Sequence, residues 1–253
     1  MRQILTKIKL KLAGSNARTI ASVLKRTNGR VFAGPCSGMV LPNNHYLAKN
    51  LSYIVGCYEC EIHPFLYSCI CNEHSQFIDI GAAYGYYVVG MALKLPLTAD
   101  IIAYEGEPDR QAGTLQLAQA NNVKHIKQYG FCDIDHLKSV LKPRAFILVD
   151  CEGNELDFLF PNLIPALSTA TIVCELHDFF RPGATQSLIQ RFLLTHKASI
   201  VDETSRLPEN YRVLNDLPKN VTANLIAEKR KFPASIDPNE TITFGQFLIL
   251  TPI

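Results

Sequence analysis

Six ionisable side chains follow two short apolar stretches, and they give this part of the sequence its clearest capacity for chemistry. They are Asp150, Glu152, Glu155, Glu175, His177 and Asp178. Carboxylate and imidazole groups can take a proton from a substrate that they contact. His177 is the first candidate for such a general base because imidazole titrates near neutral pH, and Asp150 and Glu152 are the next candidates.

The same residues are also open to other interpretations. His177 could be a buried histidine with satisfied hydrogen bonds, and Glu152 and Glu155 could cap a helix or bond backbone amides near its N-terminus. A third interpretation is a Mg²⁺ site with three oxygen ligands: Asp150, Glu175 and Asp178. From the sequence alone we assign no metal.

A turn with the sequence Asp79-Ile80-Gly81-Ala82-Ala83-Tyr84-Gly85 closes one apolar stretch and opens a helical pattern. Gly81 allows a backbone conformation and a close ligand approach that a Cβ would obstruct, and the following helix N-terminus offers free amide donors. A dinucleotide fingerprint requires glycines where this chain has Ala83 and Tyr86. The turn is therefore expected to hold the methionine and ribose part of a nucleoside. The expected contacts are Asp79, Gly81, Ala82, Tyr84 and Gly85.

Glu105 ends the next apolar stretch, 24 residues after Gly81. A carboxylate at that interval can accept hydrogen bonds from both ribose hydroxyls, as in nucleotide-binding folds generally. Gly106 follows it and belongs to the same predicted contact. Methyl transfer from a sulfonium is an in-line displacement, so the protein has chiefly to align the acceptor and take its proton. The strand-end acids and His177 are placed to do so.

The elements that must position these residues alternate between strands and helices. Strands are predicted at 77–80, 101–105, 125–129, 145–150, 171–176, 198–202 and 243–250, and helices between them at 86–95, 108–120, 133–141 and 155–160. This order predicts an α/β fold: a Rossmann-like, seven-stranded, mostly parallel sheet with helices on both faces. The last strand is reached without a clear crossover helix, so we expect it to be antiparallel.

Two regions are predicted to differ in role. Residues 1–72 are predicted to form a basic helical N-terminal extension and a lid over the cofactor and substrate. Helical spacing runs over about 3–27, with Ser15 or Asn16 as a cap before a second helix, and a further helical region covers about 45–69. Residues 73–253 form the main domain, with an insertion at about 204–240. The first 58 residues carry nine basic and no acidic side chains, whereas the remainder has a net charge of −7. Three interpretations of the extension are open. It could be a solvated pair of helices, it could be an organelle-targeting segment, or its residues 1–30 could make a weak contact with a membrane surface.

The composition sets further limits. No apolar run approaches the roughly 20 residues that cross a bilayer, and the start lacks the continuous apolar stretch of a secretory signal. A cytoplasmic location is expected. Most of the eight cysteines are expected to be buried thiols; the alternative is a zinc site formed by Cys57, Cys60, Cys69 and Cys71.

These motifs together resemble the FkbM-like family of class I S-adenosylmethionine-dependent methyltransferases. The similarity lies in the stretches 77–85, 130–133, 150–155 and 173–178, in the lead-in stretches 34–39 and 56–61, and covers about residues 31–180. The resemblance implies an S-adenosylmethionine cofactor and O-methylation of a hydroxyl on a sugar or specialised metabolite. It also implies that Tyr58 and Glu59 fold over the cofactor, with Glu59 pairing its ammonium. The stretch 130–133, which contains Phe131, Cys132 and Asp133, would then flank the adenine.

Three other functions were weighed against this one. A non-catalytic module of the same fold, docking an anionic partner through the basic N-terminus, is the main alternative. An NAD-dependent oxidoreductase is disfavoured by Ala83 and Tyr86. A nucleic-acid methyltransferase is disfavoured because the place of its base-gripping segment holds Asp150-Cys-Glu-Gly, and acids at the pocket mouth would repel phosphate. The expected partner is thus a small-molecule or carrier-bound hydroxyl substrate and no nucleic acid. The oligomeric state is left open.

Overall fold

The computed structural model of the protein describes residues 14, 16–72, 74–227, 231–233, 241–243 and 245–253. The predicted helix at 3–27 and the charged start at 1–30 therefore lie partly outside the described residues. Within the described part, residues 16–26 are helical and a turn at 27–29 follows, at the position predicted for the helix end.

A seven-stranded sheet forms the centre of the molecule. Its strands are β1 (Gln76–Ile80), β2 (Asp100–Tyr104), β3 (Ile126–Tyr129), β4 (Phe146–Val149), β5 (Thr171–Glu175), β6 (His196–Val201) and β9 (Phe247–Pro252), and their spatial order is β3-β2-β1-β4-β5-β9-β6. All pairs are parallel except those of β9, which is antiparallel to both β5 and β6. The predicted fold class is confirmed, including the antiparallel last strand. The short strands β7 (Lys231–Pro233) and β8 (Thr241–Thr243) form a separate antiparallel pair.

Helices connect the strands and cover the sheet. The α-helices after the one at 16–26, which we name α1, are α2 (Leu51–Val55), α3 (His63–Cys71), α4 (Tyr86–Ala92), α5 (Pro108–Ala120), α6 (Ile134–Val140), α7 (Ala184–Phe192) and α8 (Lys219–Ile226). Shorter 3-10 turns occur at Tyr46–Lys49, Cys60–Ile62, Glu155–Asp157, Pro165–Thr169, Pro208–Asn210 and Arg212–Leu214. No helix among the described residues is both long and apolar enough to span a bilayer.

The two faces of the sheet bury different parts of the chain. Along β1, Phe77 packs with the N-terminal elements and α4, whereas Ile78 and Ile80 pack on the opposite side with α6 and α7. This follows from the alternation of side chains along a strand. Asp79 therefore points to the same face as Phe77, toward the N-terminal segment. The pleat of β1 thus places an acid beneath the predicted lid.

The helical region predicted at 45–69 is confirmed, but it is divided into α2, α3 and two 3-10 turns and is not one continuous helix. Gly56 ends α2 in a left-handed conformation, with φ of 79°, and a Cβ there would lie 2.0 Å from the carbonyl oxygen of Ala33. The chain must turn at Gly56 because the segment at 33–34 packs directly against it. The predicted helix at 155–160 is likewise only a 3-10 turn, and β9 begins at Phe247 rather than at 243.

Candidate functional site

The turn after β1 depends on two glycines with left-handed backbone conformations. Gly81 has a φ of 91°, and a Cβ on it would lie 1.6 Å from the carbonyl oxygen of Asp150, so the turn after β1 and the end of β4 are in direct contact. The amides of Gly81 and Ala82 both donate to the carbonyl oxygen of Tyr104, each at 2.9 Å. Gly85, with a φ of 85°, opens α4. The turn is thus held by β2 and β4 on its two sides.

A cavity lies between this turn and the N-terminal segment. It has a volume of about 50 Å³ and is partly open to solvent. Its lining residues are Leu47, Tyr53, Tyr58, Glu59, Asp79, Gly81, Ala82, Ala83, Tyr84, Tyr86, Tyr87, Leu148, Asp150 and Phe247. Seven of the residues proposed from the sequence meet here: Tyr58, Glu59, Asp79, Gly81, Ala82, Tyr84 and Asp150. Gly85 lies next to the cavity but does not line it.

Five of the fourteen residues that line the cavity are tyrosines, and the sequence analysis did not identify them as a group. The ring centroids of Tyr53 and Tyr58 are 4.3 Å apart, those of Tyr53 and Tyr86 4.9 Å, and those of Tyr86 and Tyr87 5.1 Å. The hydroxyl of Tyr87 donates to the carbonyl oxygen of Tyr58 at 3.2 Å, which ties α4 to the N-terminal segment. The sequence Tyr84-Gly85-Tyr86-Tyr87 could have indicated this group of tyrosines. Aromatic faces attract cations, so this wall suits a positively charged ligand.

Asp79 places a carboxyl group in the same wall. Its carboxyl group is buried, and burial, together with the nearby Asp150 and Glu105, raises the pKa of Asp79 to about 8. A carboxylate in such a place is stabilised by a cation that enters the cavity. Glu59, which also lines the cavity, has a left-handed backbone conformation with a φ of 46°. With Asp150, three acids therefore line the cavity beside the tyrosines.

The other predicted cofactor contacts form a second group next to the turn, outside the cavity lining. The carboxylate of Glu105 accepts hydrogen bonds from the amides of Ala83 and Glu107, each at 2.8 Å, and this fixes its orientation. Each carboxylate oxygen has a further lone pair for a ligand hydroxyl. Phe131 is 81% exposed, and its ring lies over Gly106, where a Cβ would come within 2.2 Å of it. An exposed aromatic ring thus borders the predicted adenine position.

Cys132 and Asp133 follow Phe131 at the start of α6. The Oδ1 atom of Asp133 accepts a hydrogen bond from the amide of His136 at 2.8 Å, so Asp133 is the N-cap of this helix. Burial raises the pKa of the Cys132 thiol to about 12. The sequence assigned both residues to the adenine; the structure gives Asp133 a structural role that leaves its second oxygen available.

The ends of β4 and β5 bring four carboxyl groups around His177. The Nδ1 atom of His177 lies 2.7 Å from Oε1 of Glu155. The Nε2 atom lies 3.5 Å from Oδ1 of Asp150, 3.7 Å from Oε2 of Glu152 and 4.0 Å from Oε2 of Glu175. We name these five residues the acid–histidine cluster. The cluster adjoins the cavity, because Asp150 belongs to both.

Electrostatics within the cluster favour a charged His177. Burial alone would lower the pKa of His177, but the hydrogen bond with Glu155 and the charge of Asp150 raise it above its ordinary value. Burial would likewise raise the pKa of Glu155, yet its hydrogen bond with His177 brings it below the ordinary value. Glu155 also accepts a hydrogen bond from the amide of Gly153 at 3.1 Å, one of the roles considered for it from the sequence.

Exposure separates the three predicted catalytic residues. His177 is only 4% exposed, whereas the side chains of Asp150 and Glu152 are 36% and 69% exposed. A base must touch the acceptor from which it takes a proton. The two carboxylates are therefore the members of the predicted set that an acceptor can reach, while His177 lies behind them.

The metal ligands considered from the sequence are only partly brought together. Asp178 bonds the amide and hydroxyl of Thr185 near the start of α7 and does not join the cluster. His177 takes its place: Asp150, Glu175 and His177 each offer one ligand atom, all within 4.8 Å of one another. They are the one such group within the described part of the chain, so its eight cysteines, all free thiols, do not form the considered zinc site.

Comparison with known proteins gave likenesses to solved structures only. No family model matches the chain, and no curated protein matches it. The O-methyltransferase from Bacillus cereus, solved with SAH, is 10% identical with a TM-score of 0.46, covering 92% of this chain and 90% of that one. The O-methyltransferase TomG from Streptomyces achromogenes, solved with SAM, is 13% identical with a TM-score of 0.42, covering 73% and 77%. An rRNA methylase from Streptococcus thermophilus is 10% identical with a TM-score of 0.47, covering 76% and 96%. These solved neighbours are methyltransferases, but likenesses of this extent carry no inference about substrate or residue roles.

Proposed function

We propose that this protein is an S-adenosylmethionine-dependent methyltransferase that methylates a hydroxyl group of a sugar or specialised metabolite. The observation that carries the proposal is the position of Asp150. Its backbone packs against Gly81 in the turn after β1, and its side chain belongs both to the cavity and to the acid–histidine cluster. A cofactor held by the turn and an acceptor held by the cluster would therefore meet at one place.

The cavity has the chemistry that the cofactor requires. S-adenosylmethionine supplies a methyl group on a positively charged sulfur and also carries an ammonium group. Asp79 and Glu59 face the cavity and would pair with the ammonium, and the tyrosine wall would attract the sulfonium. Glu105 would accept the ribose hydroxyls, and the exposed ring of Phe131 would stack on the adenine. The motifs shared with the FkbM-like family support the same assignment.

The cluster would align the acceptor and remove its proton. In the transfer, an oxygen lone pair forms the new bond to the methyl carbon while the electrons of the carbon–sulfur bond pass to sulfur. The proton of the hydroxyl passes to Glu152 or Asp150, the exposed acids of the cluster. His177 and Glu155 hold these acids in place from behind. The acidic mouth favours a neutral hydroxyl substrate, free or carrier-bound, over a nucleic acid.

Isothermal titration with S-adenosylmethionine tests the proposal. The wild-type protein should bind it, and Asp79→Asn should weaken binding at least about tenfold, as expected for one lost charge-assisted hydrogen bond. Asparagine closely matches the shape of the protonated acid, so this variant is expected to fold. Asp157→Asn is the matched control, since Asp157 pairs with Arg181 on the surface. A folded wild-type protein that binds no S-adenosylmethionine would overturn the proposal.

Transfer itself is tested separately. Incubation of the protein and methyl-labelled cofactor with fractionated cell extract should label a small or carrier-bound product, which mass spectrometry can identify as a methyl ether. Glu152→Gln should slow this labelling, because Asp150 would remain as the second acid able to take the proton, and it should leave cofactor binding intact. A methylated nitrogen or nucleic acid as the labelled product would contradict the O-methylation part of the proposal.

A further inference from the structure

We propose that Arg206 is a positioning residue for the cofactor, because it holds residues 57–61 in the conformation that places Tyr58 and Glu59 at the cavity. We name these residues, which lie between α2 and α3, the 57–61 segment. Arg206 belongs to the stretch predicted as an insertion, 145 positions after Glu61. The inference rests on the proposed function, since it concerns the binding of S-adenosylmethionine. It gives the insertion a role that the sequence analysis did not assign.

The guanidinium of Arg206 contacts the 57–61 segment at both of its ends. The Nε atom donates to the carbonyl oxygen of Cys57 at 2.8 Å, and the Nη2 atom donates to Oε2 of Glu61 at 2.9 Å. The guanidinium is planar, so its donors keep fixed positions relative to one another. Arg206 therefore fixes the first and last residues of the segment relative to each other, and Tyr58 and Glu59 lie between them.

The ion pair of Arg206 with Glu61 is buried. The two side chains are 1% and 0% exposed, and the carboxylate of Glu203 lies 3.7 Å from the Nη1 atom of Arg206. A buried ion pair is often no more stabilising than apolar side chains of similar volume. Its hydrogen bonds do require defined directions, however. The pair at this place is therefore better suited to fixing the geometry of the segment than to stabilising the fold.

Glu59 has a backbone conformation that depends on such contacts. Its φ of 46° and ψ of 47° are left-handed, a region that residues with a Cβ rarely adopt. Such a conformation persists only where the surrounding structure enforces it. The hydroxyl of Tyr87 and the Nε2 atom of His63 both lie within hydrogen-bond distance of the carbonyl oxygen of Tyr58, at 3.2 and 3.0 Å. Arg206 supplies the contacts at the ends of the segment, which Tyr87 and His63 do not reach.

Relaxation of the 57–61 segment would affect one part of the cofactor and not the other. Under the proposed function, Glu59 pairs with the ammonium of the methionine part. Glu105 and Phe131 are the proposed contacts of the ribose and adenine, and they follow β2 and β3. Loss of the Arg206 contacts should therefore weaken binding of the methionine part and leave binding of the nucleoside part unchanged. A general loss of structure would weaken both.

Arg206→Lys tests this difference. Lysine keeps a positive charge for Glu61 but cannot reproduce the planar pair of donors that also reaches Cys57. Calorimetry compares two ligands: S-adenosylhomocysteine, and methylthioadenosine, which lacks the amino-acid part. The dissociation constant for S-adenosylhomocysteine should rise at least about tenfold, as expected for a lost charge-assisted contact, and that for methylthioadenosine less than about twofold. Arg212→Lys, the same change at an exposed arginine of the insertion, should bind both ligands like the wild type.

Hydrogen exchange without any ligand tests the geometry directly. The amide of Ile62 donates to the carbonyl oxygen of Glu59 at 3.0 Å, so a peptide that covers 57–62 reports on the segment. Its protected amides should exchange at least about tenfold faster in Arg206→Lys, whereas β4 should exchange as in the wild type. The double variant Arg206→Met with Glu61→Leu should show the same effects on exchange and binding. It leaves no unpaired buried charge at Glu61, so it keeps the test decisive if Arg206→Lys fails to give a cooperative thermal melt.

The outcomes separate this inference from the proposed function. Unchanged exchange in the segment would refute the positioning role, and so would equal weakening of both ligands, which would show a structural role only. A wild-type protein that binds both ligands while the folded variants keep its affinities would overturn this inference alone. A folded wild-type protein that binds neither ligand would overturn the proposed function and this inference with it.

Discussion

Replacing Gly81 with alanine should destabilise the protein and displace the turn after β1 from Asp150. The change demands two things of the backbone: a side chain at a φ of 91°, and room for a Cβ that would lie 1.6 Å from the carbonyl oxygen of Asp150. The left-handed conformation by itself costs about 1–2 kcal/mol. Since real Cβ atoms essentially never come closer than 3.0 Å to such a neighbour, the turn and Asp150 must move apart by about 1.4 Å.

Gly38 provides a matched control for the conformational part of this cost. Its φ is 86°, and a Cβ there would meet no atom within 4 Å. Gly38→Ala should therefore cost only the conformational term, about 1–2 kcal/mol. Gly81→Ala should cost more than about 4 kcal/mol, a loss typical of strain imposed on a packed interior. The difference between the variants measures the contact between the turn and β4.

Urea denaturation monitored by circular dichroism gives both free energies of unfolding. Isothermal titration then reports whether the remaining folded Gly81→Ala protein binds S-adenosylmethionine, which we expect it not to do because Asp150 is displaced. Equal destabilisation by the two alanines would refute the reasoning. So would normal cofactor affinity in Gly81→Ala.

Three further predictions concern other residues of the protein. The guanidinium of Arg206 is buried and donates to Glu61 at 2.9 Å, so Arg206→Met should destabilise the protein by about 3–5 kcal/mol, while the double variant with Glu61→Gln should recover part of the loss in urea denaturation. Burial lowers the pKa of His63 to about 4, below its unfolded value of about 6.5. The unfolded state therefore binds a proton on His63 at a higher pH than the folded state does. The free energy of unfolding is unaffected by His63 above pH 6.5 and falls by up to about 3 kcal/mol as the pH falls toward 4. A His63→Gln variant that shows the same loss as the wild type would contradict this. Phe131→Ala should raise the dissociation constant for S-adenosylmethionine about tenfold with little change in melting temperature, whereas Leu194→Ala, at another exposed apolar side chain, should leave the affinity unchanged.

Local signals were sufficient for much of the fold. The apolar strands alternate with helical patterns. Each observed end of the strands β1 to β5 lies within about one residue of the predicted end. Pro108–Ala120 forms the predicted helix over the whole predicted range. Burial on both faces makes parallel strands continuously apolar, and this pattern can be recognised without knowledge of the contacts.

Elements fixed by distant contacts were not predictable in the same way. Gly56 interrupts the helical pattern at 45–69 because Ala33 packs against it, and residue spacing does not reveal such an approach. The 3-10 turn that replaces the helix at 155–160 leaves the Glu155 carboxylate beside His177, 22 positions away in sequence. Both outcomes depend on which segments meet in the folded chain.

The sequence by itself determined the type of fold and the residues with chemical capacity: the Gly81 turn, Glu105 and the acids that end β4 and β5. These are local properties of residue type and spacing. Only the tertiary structure decided which of these side chains contact one another and which are exposed. It brought His177 rather than Asp178 to Asp150 and Glu175, and it enclosed the His177 ring behind two exposed carboxylates. It also gathered the tyrosines of α2, of α4 and of the segments before them into one wall. Side chains far apart in sequence acquire defined distances only when the sheet and its covering helices pack.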